Sequence, residues 1–191
     1  LHGMFAQVPG LKVVMPATPY DAKGLMIAAI RDPNPVVFID DRWLYGLTAP
    51  VPREMYEVPI GKGKIVRDGT EVTFVASSFL VQEALKAADV LAGEGIEAEV
   101  IDLRTVKPLD AELIISSVRK TGRLVVCDGG WRFCGLAAEV AAMAVEQALT
   151  SLKAPVQRVT LPNSPAPASA VLEKAYYRTS ADIITAVRTI I

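Results

Sequence analysis

VIDLRTVKPLD, residues 100–110, is the segment that decides the fold of this chain. Its first residues are apolar and β-branched, which is typical of the end of a buried strand. Near its end, Pro108 and Asp110 stand just ahead of an apolar helical pattern, which indicates a helix start. The flanking segments VTFVASSFLVQEALKAADVLAGEG and AELIISSVRKTGRLVVCDGG each pair one strand with one helix. This alternation predicts an α/β fold, a three-layer sandwich with a mostly parallel sheet.

Composition restricts the classes of function. With 20 basic and 21 acidic residues, the 191-residue chain has a net charge of −1, so we expect neither nucleic acid nor a membrane as a partner. The hydrophobic fraction of 51% predicts extensive burial, yet no apolar run approaches the roughly 20 residues that span a bilayer. Cys127, Cys134 and a single histidine do not make up an ordinary zinc site. A reduced, cytoplasmic setting is expected.

The first block of the chain has the pattern of one β-α-β unit. LKVVMP predicts a strand, and the T-P-Y-D segment that begins at Thr18 combines a capping hydroxyl, a proline at the first helical position and an acid in the first turn. Two prolines stop the helix, and PVVFID predicts a second strand. Such a unit needs neighbouring strands. We assign residues 1–45 to part of one domain, 46–58 to a linker and 59–191 to a second domain.

The second domain repeats strands and helices. GKGKIVRDGTEVTFVA predicts a short strand, a turn at Asp68-Gly69 and a central strand. Residues 77–92 carry an apolar stripe at helical spacing. The remaining predicted elements are strands in EAEVID, RLVVCD and PVQRVTLP, and helices after Asp110, over residues 136–149 and after the capping sequence Thr179-x-x-Asp182.

Ligands of open parallel sheets usually bind beyond the carboxyl ends of the strands. The predicted loops at that edge are residues 104–108, 128–135 and 161–169. The DGGWRFCG loop precedes a helix start, which can hold an anion, but it lacks the G-x-G-x-x-G and Walker patterns. A tight strand-to-helix turn is therefore favoured there, and we expect Cys134 to be buried as a small apolar residue rather than reactive.

Other side chains that often carry chemistry have structural interpretations here. Arg104 is expected to pair with a neighbouring acid, whereas Glu83 and Glu139 are expected on solvated helix surfaces. His2 is the only histidine, and a residue so close to the start of the chain is not expected to be ordered enough for catalysis. Because no Ser-His-Asp arrangement or metal cluster can be assembled, we assign no catalytic residue.

The segment AAIRDPNP brings oxygen atoms together at a helix end. The carbonyls of the last turn lack helical partners, and the helix dipole is negative there. Asp32 and Asn34 add side-chain or backbone oxygens within the same turn, which suits a hard cation. From the residues alone, a helix stop closed by an Asx turn is favoured over a cation site.

Several segments together resemble the transketolase superfamily. DLRT-x-x-PLD followed by S-V-x-K-T-G-R is similar to the β-subunit of the thiamine-diphosphate-dependent 2-oxoacid dehydrogenase first component, of the pyruvate, branched-chain or acetoin type. PATPYDAKGL and AIRDPNPVVF favour that subunit, although GKGKIVRDG and VKPLD also suit deoxyxylulose-phosphate synthase. The resemblance implies the end of a pyrimidine-binding domain followed by a whole transketolase C-terminal domain. DGGWRFCG departs from the family pattern, which leaves the substrate open.

The resemblance implies a catalytic role shared with other chains. Thiamine diphosphate and Mg²⁺ serve the complete enzyme, in oxidative decarboxylation and acyl transfer to a lipoyl carrier. The glutamate and the H-S-Q stretch that act with this cofactor are expected upstream of Leu1, and the G-D-G motif belongs to the α-subunit. We therefore expect no catalytic or cofactor-binding residue here, and an inactive chain when it is alone. His2 lies after the position of H-S-Q and does not inherit its role.

The resemblance also implies partners and an ion. It places a structural potassium ion at Ala29, Ile30, Asp32 and Asn34. It implies a homodimer, an α-subunit in an α2β2 enzyme and a lipoyl-bearing second component that the C-terminal TAVRTII helps to hold. Two alternatives stay open: the C-terminal half of a two-part transketolase or deoxyxylulose-phosphate synthase, and a non-catalytic interaction domain.

Overall fold

The computed structural model describes residues 2–191 as two β-sheets with helices packed around them. The strands are β1 Lys12–Val14, β2 Val36–Phe38, β3 Lys64–Arg67, β4 Val72–Ala76, β5 Ala98–Asp102, β6 Thr105–Lys107, β7 Leu124–Trp131 and β8 Gln157–Leu161. The α-helices are α1 His2–Ala6, α2 Pro19–Arg31, α3 Phe79–Ala92, α4 Ala111–Thr121, α5 Leu136–Ala148, α6 Ala170–Tyr176 and α7 Ser180–Arg188, and 3-10 turns lie at Arg42–Leu44 and Leu149–Ser151. Across residues 2–191, no helix is both long and apolar enough to cross a bilayer.

The larger sheet has five strands in the order β3-β5-β4-β7-β8. Strands β5, β4, β7 and β8 run parallel, and β3 is antiparallel at one edge. Every residue of β4 and β5 is buried because helices cover both faces of the sheet. Helices α3 and α7 pack on one face, and α4 and α5 pack on the other. The predicted three-layer α/β sandwich with a mostly parallel sheet is confirmed.

The turn at Asp68-Gly69 joins β3 and β4, but the two strands are not neighbours. Strand β5 lies between them, and β3 pairs with it in antiparallel register. A Cβ at Gly69 would lie 2.2 Å from the Glu99 nitrogen, so the chain passes too close to β5 for any side chain here. Glycine at this position therefore lets β3 cross to the outer edge of the sheet.

The smaller sheet has the order β2-β1-β6 and joins the two halves of the chain. Strands β1 and β2 are parallel, with α2 as their crossover. Strand β6 comes from within the decisive segment and pairs antiparallel to β1, with Val13 opposite Lys107 and Val14 opposite Thr105. The neighbouring strand that the predicted β-α-β unit needs is thus supplied at β1 by the second half of the chain.

Local signals placed most helix starts correctly. Thr18 caps α2 by accepting a hydrogen bond from the Asp21 amide at 3.1 Å. Asp110 caps α4, and Thr179 forms the predicted capping box with Asp182 at the start of α7. Helices α1 and α6 were not predicted, since each is short and has no strong apolar period.

Candidate functional site

A cavity of about 320 Å³ lies where strands of both sheets end. It is lined by the residues that follow β1, β2 and β4, by Gly129 in β7, and by Leu161 at the end of β8. The crevice beyond the carboxyl ends of parallel strands is the usual ligand site of such sheets. Of the three loops predicted there, 128–135 and 161–169 reach the cavity through these two residues, whereas 104–108 forms β6 and the junction between the sheets.

The turn from β4 into α3 forms one wall of this cavity. Ser77 and Ser78 line it and are only 3% and 2% exposed. Their hydroxyl oxygens have no hydrogen-bond partner among residues 2–191. Ser78 has φ of 53°, in the left-handed region, and its side chain does not cap α3. The first amides of α3, at Phe79 and Leu80, have no carbonyl partner within the helix.

His2 also lines the cavity and is ordered by a buried carboxylate. Its side chain is 5% exposed, and its Nε2 donates to Asp128 Oδ1 at 2.8 Å. Asp128 further accepts from the amides of Gly130 at 2.8 Å and Ala137 at 3.1 Å. Burial raises the pKa of Asp128, but these hydrogen bonds and the neighbouring imidazole outweigh it and hold the pKa below its usual value. The expectation that His2 is poorly ordered is therefore wrong.

Two further sequence predictions fail on burial. Cys134 is exposed, with φ of 52°, because the loop turns outward before α5; the buried thiol is that of Cys127, whose pKa burial raises. Glu83 is buried rather than solvated: it accepts from the Ser180 amide at 2.8 Å and from Lys86 Nζ at 2.7 Å. Glu83 thus holds the start of α7 against α3.

Glu139, in contrast, is exposed as predicted. The predicted ion pair of Arg104 is confirmed and lies at the junction between the two sheets. Its Nη2 lies 2.6 Å from Asp21 Oδ1, and both side chains are nearly buried. The contact is an ion pair rather than a directed hydrogen bond, since Asp21 Oδ1 has no well-aligned donor within residues 2–191.

Asp102 completes this buried cluster. It accepts from the Arg104 amide at 2.9 Å, and Arg104 has φ of 55°. Burial raises the pKa of Asp102 to about 7. This pKa already includes two opposing smaller effects, the hydrogen bond from the Arg104 amide, which lowers it, and the nearby Asp21 carboxylate, which raises it. The Asp102 carboxyl is therefore largely protonated at mildly acidic pH.

The four residues of the predicted potassium site share one turn at the end of α2. Asp32 Oδ1 accepts from the Asn34 amide at 2.9 Å and from Asn34 Nδ2 at 3.1 Å, which is an Asx turn. Asp32 Oδ2 pairs with Lys12 Nζ at 2.5 Å. This hydrogen bond from Lys12 is the main reason that the pKa of Asp32 is lowered. Potassium binding at Ala29, Ile30, Asp32 and Asn34 stays a prediction.

Several residues of the cavity carry no recognisable sequence motif. Three aromatic rings meet at it: Trp43 lies 5.2 Å from Phe79 and 5.4 Å from Tyr177, centroid to centroid. Ser77 and Ser78 could have been found, because a Ser-Ser pair between a buried strand and a helix marks a sharp turn. The aromatic contacts could not, since Trp43 and Tyr177 are far apart in sequence.

Two family models match the chain. The model described as "Transketolase, C-terminal domain" covers residues 61–183, and the model described as "Transketolase, pyrimidine binding domain" covers residues 1–48. The first match extends over more than half of the chain, and the three-layer fold agrees with it. The chain belongs to the family of transketolase C-terminal domains.

Among proteins with this domain, the chain is most usefully compared with β-subunits of acetoin and pyruvate enzymes. The chain is 48% identical over 188 residues to the acetoin:2,6-dichlorophenolindophenol oxidoreductase subunit beta of Cupriavidus necator, covering 98% of the chain and 56% of that protein. It is 45% identical over 192 residues to the pyruvate dehydrogenase E1 component subunit beta of Bacillus subtilis, covering 100% and 59%. The chain thus spans little more than half the length of these relatives. The resemblance to dehydrogenase β-subunits is confirmed.

A solved structure shares the arrangement of both sheets. It is described as a split gene transketolase, inactive beta4 tetramer, and it matches with a TM-score of 0.81 and 27% identity. The match covers 99% of this chain and 60% of that one.

Proposed function

We propose that this chain is a β-subunit portion of a thiamine-diphosphate-dependent 2-oxoacid dehydrogenase first component. The enzyme would carry out oxidative decarboxylation and acyl transfer to a lipoyl carrier, and this portion would serve in scaffolding and assembly. The observation that carries the proposal is the identity of 48% and 45%, over nearly the whole chain, to β-subunits of acetoin and pyruvate enzymes.

The proposed scaffolding role leaves the chemistry of the cofactor to the complete enzyme. Thiamine diphosphate stabilises a carbanion when it is bound, and its diphosphate requires a metal held by oxygen ligands. Residues 2–191 contain no group of three or more His, Cys, Asp or Glu that could hold a metal ion. We therefore place no magnesium diphosphate on these residues and derive no catalytic step through this cofactor.

The proposal is tested by reconstitution. The gene that encodes these residues, in its full length, should be co-expressed with the α-subunit of the same organism. Reduction of 2,6-dichlorophenolindophenol should then depend on pyruvate, another 2-oxoacid or acetoin. The 191-residue chain alone should show neither this activity nor tight calorimetric binding of thiamine diphosphate. Micromolar cofactor binding by the chain alone would contradict the scaffolding role.

One observation favours a second candidate, half of a two-part transketolase. The solved structure that matches both sheets is described as a split gene transketolase. Ketose phosphate donors belong in the same assay for that reason. Turnover of ketose phosphates without any response to 2-oxoacids or acetoin would select this candidate, and inactivity with every substrate would favour a non-catalytic interaction domain.

We propose further that the chain forms a homodimer, to which an α-subunit and a lipoyl-bearing second component are added. Apolar side chains are exposed on α6, where Val171 and Leu172 are 77% and 57% exposed, and also at Met4 in α1 and at Val8 just after it. Exposed apolar clusters of this kind are typical of association surfaces. Sedimentation at micromolar concentration should show a dimer, and a Val171→Asp, Leu172→Asp variant should report whether α6 takes part. A strictly monomeric parent chain would contradict the proposal.

A potassium ion at the end of α2 is likewise proposed. The Asx turn holds Asp32 and Asn34 together beside the unpaired carbonyls that end the helix. Lys12 already neutralises one Asp32 oxygen, so the ion would rely mainly on carbonyl ligands. A rubidium soak should give an anomalous peak at this turn that Asp32→Ala weakens. A well-ordered turn without a peak would refute the site.

A further inference from the structure

We propose that the cavity at the strand ends binds a small organic anion, with its oxyanion group at the N-terminus of α3 and a planar apolar body against Trp43. This site does not depend on the proposed enzymatic function. It lies among Ser77, Ser78 and the first turn of α3, and it is closed on the far side by residues from β7 and β8.

The first reason is the pair of unsatisfied serine hydroxyls. Ser77 and Ser78 are both more than nine-tenths buried, and neither hydroxyl has a partner among residues 2–191. Buried hydroxyls in proteins are almost always hydrogen-bonded, because leaving one without a partner forfeits its hydration. Both residues line the cavity, so a ligand oxygen there can supply the missing acceptors.

The second reason is the backbone. The amides that begin α3 have no helical acceptor, and the dipole of this 14-residue helix is positive at the same end. Ser78 stands at the N-cap position, yet its side chain makes no capping bond. Amides, dipole and hydroxyls therefore offer donors to the same volume. That arrangement favours an oxyanion over a cation or a neutral apolar group.

The third reason is the balance of charge around the cavity. Arg42 and Arg178 line it, and so do Asp40 and Asp41. The formal charges of these four residues cancel, and both acids accept from neutral groups: Asp41 Oδ1 from the Trp43 amide at 3.0 Å, and Asp40 Oδ2 from the Tyr45 hydroxyl at 2.5 Å.

Arg178 is held in place by the Thr160 carbonyl, to which its Nε donates at 2.8 Å, and by Asp182 Oδ1, to which its Nη1 donates at 3.3 Å. Its position beside the cavity is therefore fixed before any ligand arrives. A preorganised guanidinium suits carboxylate and phosphate groups, with which it forms charge-assisted hydrogen bonds.

The fourth reason concerns the body of the ligand. Trp43 is 58% exposed although it lies between Phe79 and Tyr177, with ring centroids 5.2 Å and 5.4 Å away. An exposed indole beside two further rings presents a flat apolar surface on which a planar group can stack. A cavity of about 320 Å³ has room for an aromatic ring and one oxyanion group.

The experiment compares inorganic phosphate, phenyl phosphate and phenol at constant ionic strength, by calorimetry with the 191-residue chain. Phenyl phosphate should bind saturably and more tightly than phosphate, and phenol should not bind. Trp131→Phe leaves Trp43 as the remaining tryptophan, because the chain has two. Its fluorescence should then change along the same binding curve.

Substitutions locate the site. Ser78→Ala should weaken phenyl phosphate binding by about tenfold, the loss expected for one hydrogen bond to a charged group. Arg42→Gln should weaken it severalfold, and Trp43→Ala should abolish the advantage of phenyl phosphate over phosphate. Ser116→Ala and Arg53→Gln are matched controls on exposed positions outside the cavity, and they should bind like the parent chain.

Stability separates a binding role from a structural one. Without ligand, the thermal midpoint of Ser78→Ala should equal or exceed that of the parent, because an unsatisfied buried hydroxyl is removed. If Ser78→Ala fails to fold, Arg42→Gln still tests whether the ligand binds in this cavity. Arg42 is exposed, so its substitution should not disturb folding. Absence of saturable binding by the parent chain would overturn the proposal. Equal binding by Arg42→Gln and Arg53→Gln would also overturn it.

Discussion

The two sheets of this molecule are stabilised in different ways. In the five-stranded sheet, every residue of the central strands β4 and β5 is buried, and helices from the same half of the chain cover both faces. In the three-stranded sheet, β2 is only partly buried and forms an open edge, while β6 is supplied by the other half of the chain. The larger sheet has a core of its own, whereas the smaller one depends on its neighbours.

The contacts that attach the smaller sheet to the larger one are concentrated around Arg104. The Arg104 carbonyl accepts from the Met15 amide at 2.8 Å, and its guanidinium lies 2.6 Å from the Asp21 carboxylate. Through these contacts the end of β1 and the start of α2 are attached to the end of β5. The smaller sheet should therefore lose its structure at lower denaturant concentrations than the larger one.

The largest predicted effect tests the core of the larger sheet. Phe74 is fully buried in β4, so Phe74→Ala should lower the free energy of unfolding by about 3–5 kcal/mol. Phe38 at the open edge of the smaller sheet is partly buried, so Phe38→Ala should lower the free energy of unfolding by only about 1 kcal/mol. Urea unfolding followed by circular dichroism measures both. Equal losses would mean that the two sheets are equally packed.

The next prediction concerns the junction. Arg104→Met leaves the Asp21 carboxylate buried without its partner, which should cost about 3 kcal/mol. Hydrogen exchange should show that amides of β1 and β2 lose protection, while those of β4 keep it. The double variant Arg104→Met, Asp21→Leu removes both charges and should recover much of the loss. Uniform loss of protection in both sheets would argue against a local junction.

The sequence anticipated the larger sheet better than the smaller one, for a physical reason. Runs such as VTFVA and RLVVCD, with caps such as Asp110, are local signals, and they placed their elements correctly. Strand β6 is three residues long and becomes a strand only by pairing with β1, about ninety positions earlier. Burial of Glu83 likewise depends on the amide of Ser180, 97 residues away. Such long-range pairings leave no periodic pattern.

A similar limit applies to the cavity. Its location beyond the strand ends follows from the parallel topology. Its composition does not, because His2, Trp43, Ser78 and Tyr177 meet there only after both sheets have formed. Exposure of Cys134 could not be predicted either, since it depends on how the loop leaves β7.

The pH dependence compares two buried carboxyls with opposite shifts. Burial raises the pKa of Asp102 from 3.8 to about 7. The folded chain then binds this proton more tightly than the unfolded chain, so the stabilisation is present at low pH and is lost as the pH rises towards 7. Between these pKa values, stability should fall by up to about 1.4 kcal/mol per pH unit, and Asp102→Asn should remove this slope.

Asp128 provides the control for that slope. Its pKa is lowered, so its contribution is present above the pKa of an unfolded aspartate and is lost as the pH falls. Asp128→Asn should therefore reduce acid sensitivity and leave the Asp102 slope in place. Urea unfolding from strongly acidic to neutral pH distinguishes the two carboxyls, and an unchanged slope in Asp102→Asn would show that another group titrates.

The smallest predicted effect comes from removing a helix-capping threonine beside each of the two sheets. Thr18 caps α2 beside the smaller sheet, and Thr179 caps α7 on the larger one. Each substitution to alanine should cost about 1 kcal/mol of helix stability. The loss in Thr179→Ala should appear in the global free energy of unfolding, because Ile183 and Val187 of α7 belong to the core of the larger sheet. The loss in Thr18→Ala should appear only as faster hydrogen exchange in α2, since that helix opens without disturbing β4. If Thr18→Ala shifted the global transition as far as Thr179→Ala, the two sheets would unfold as one cooperative unit.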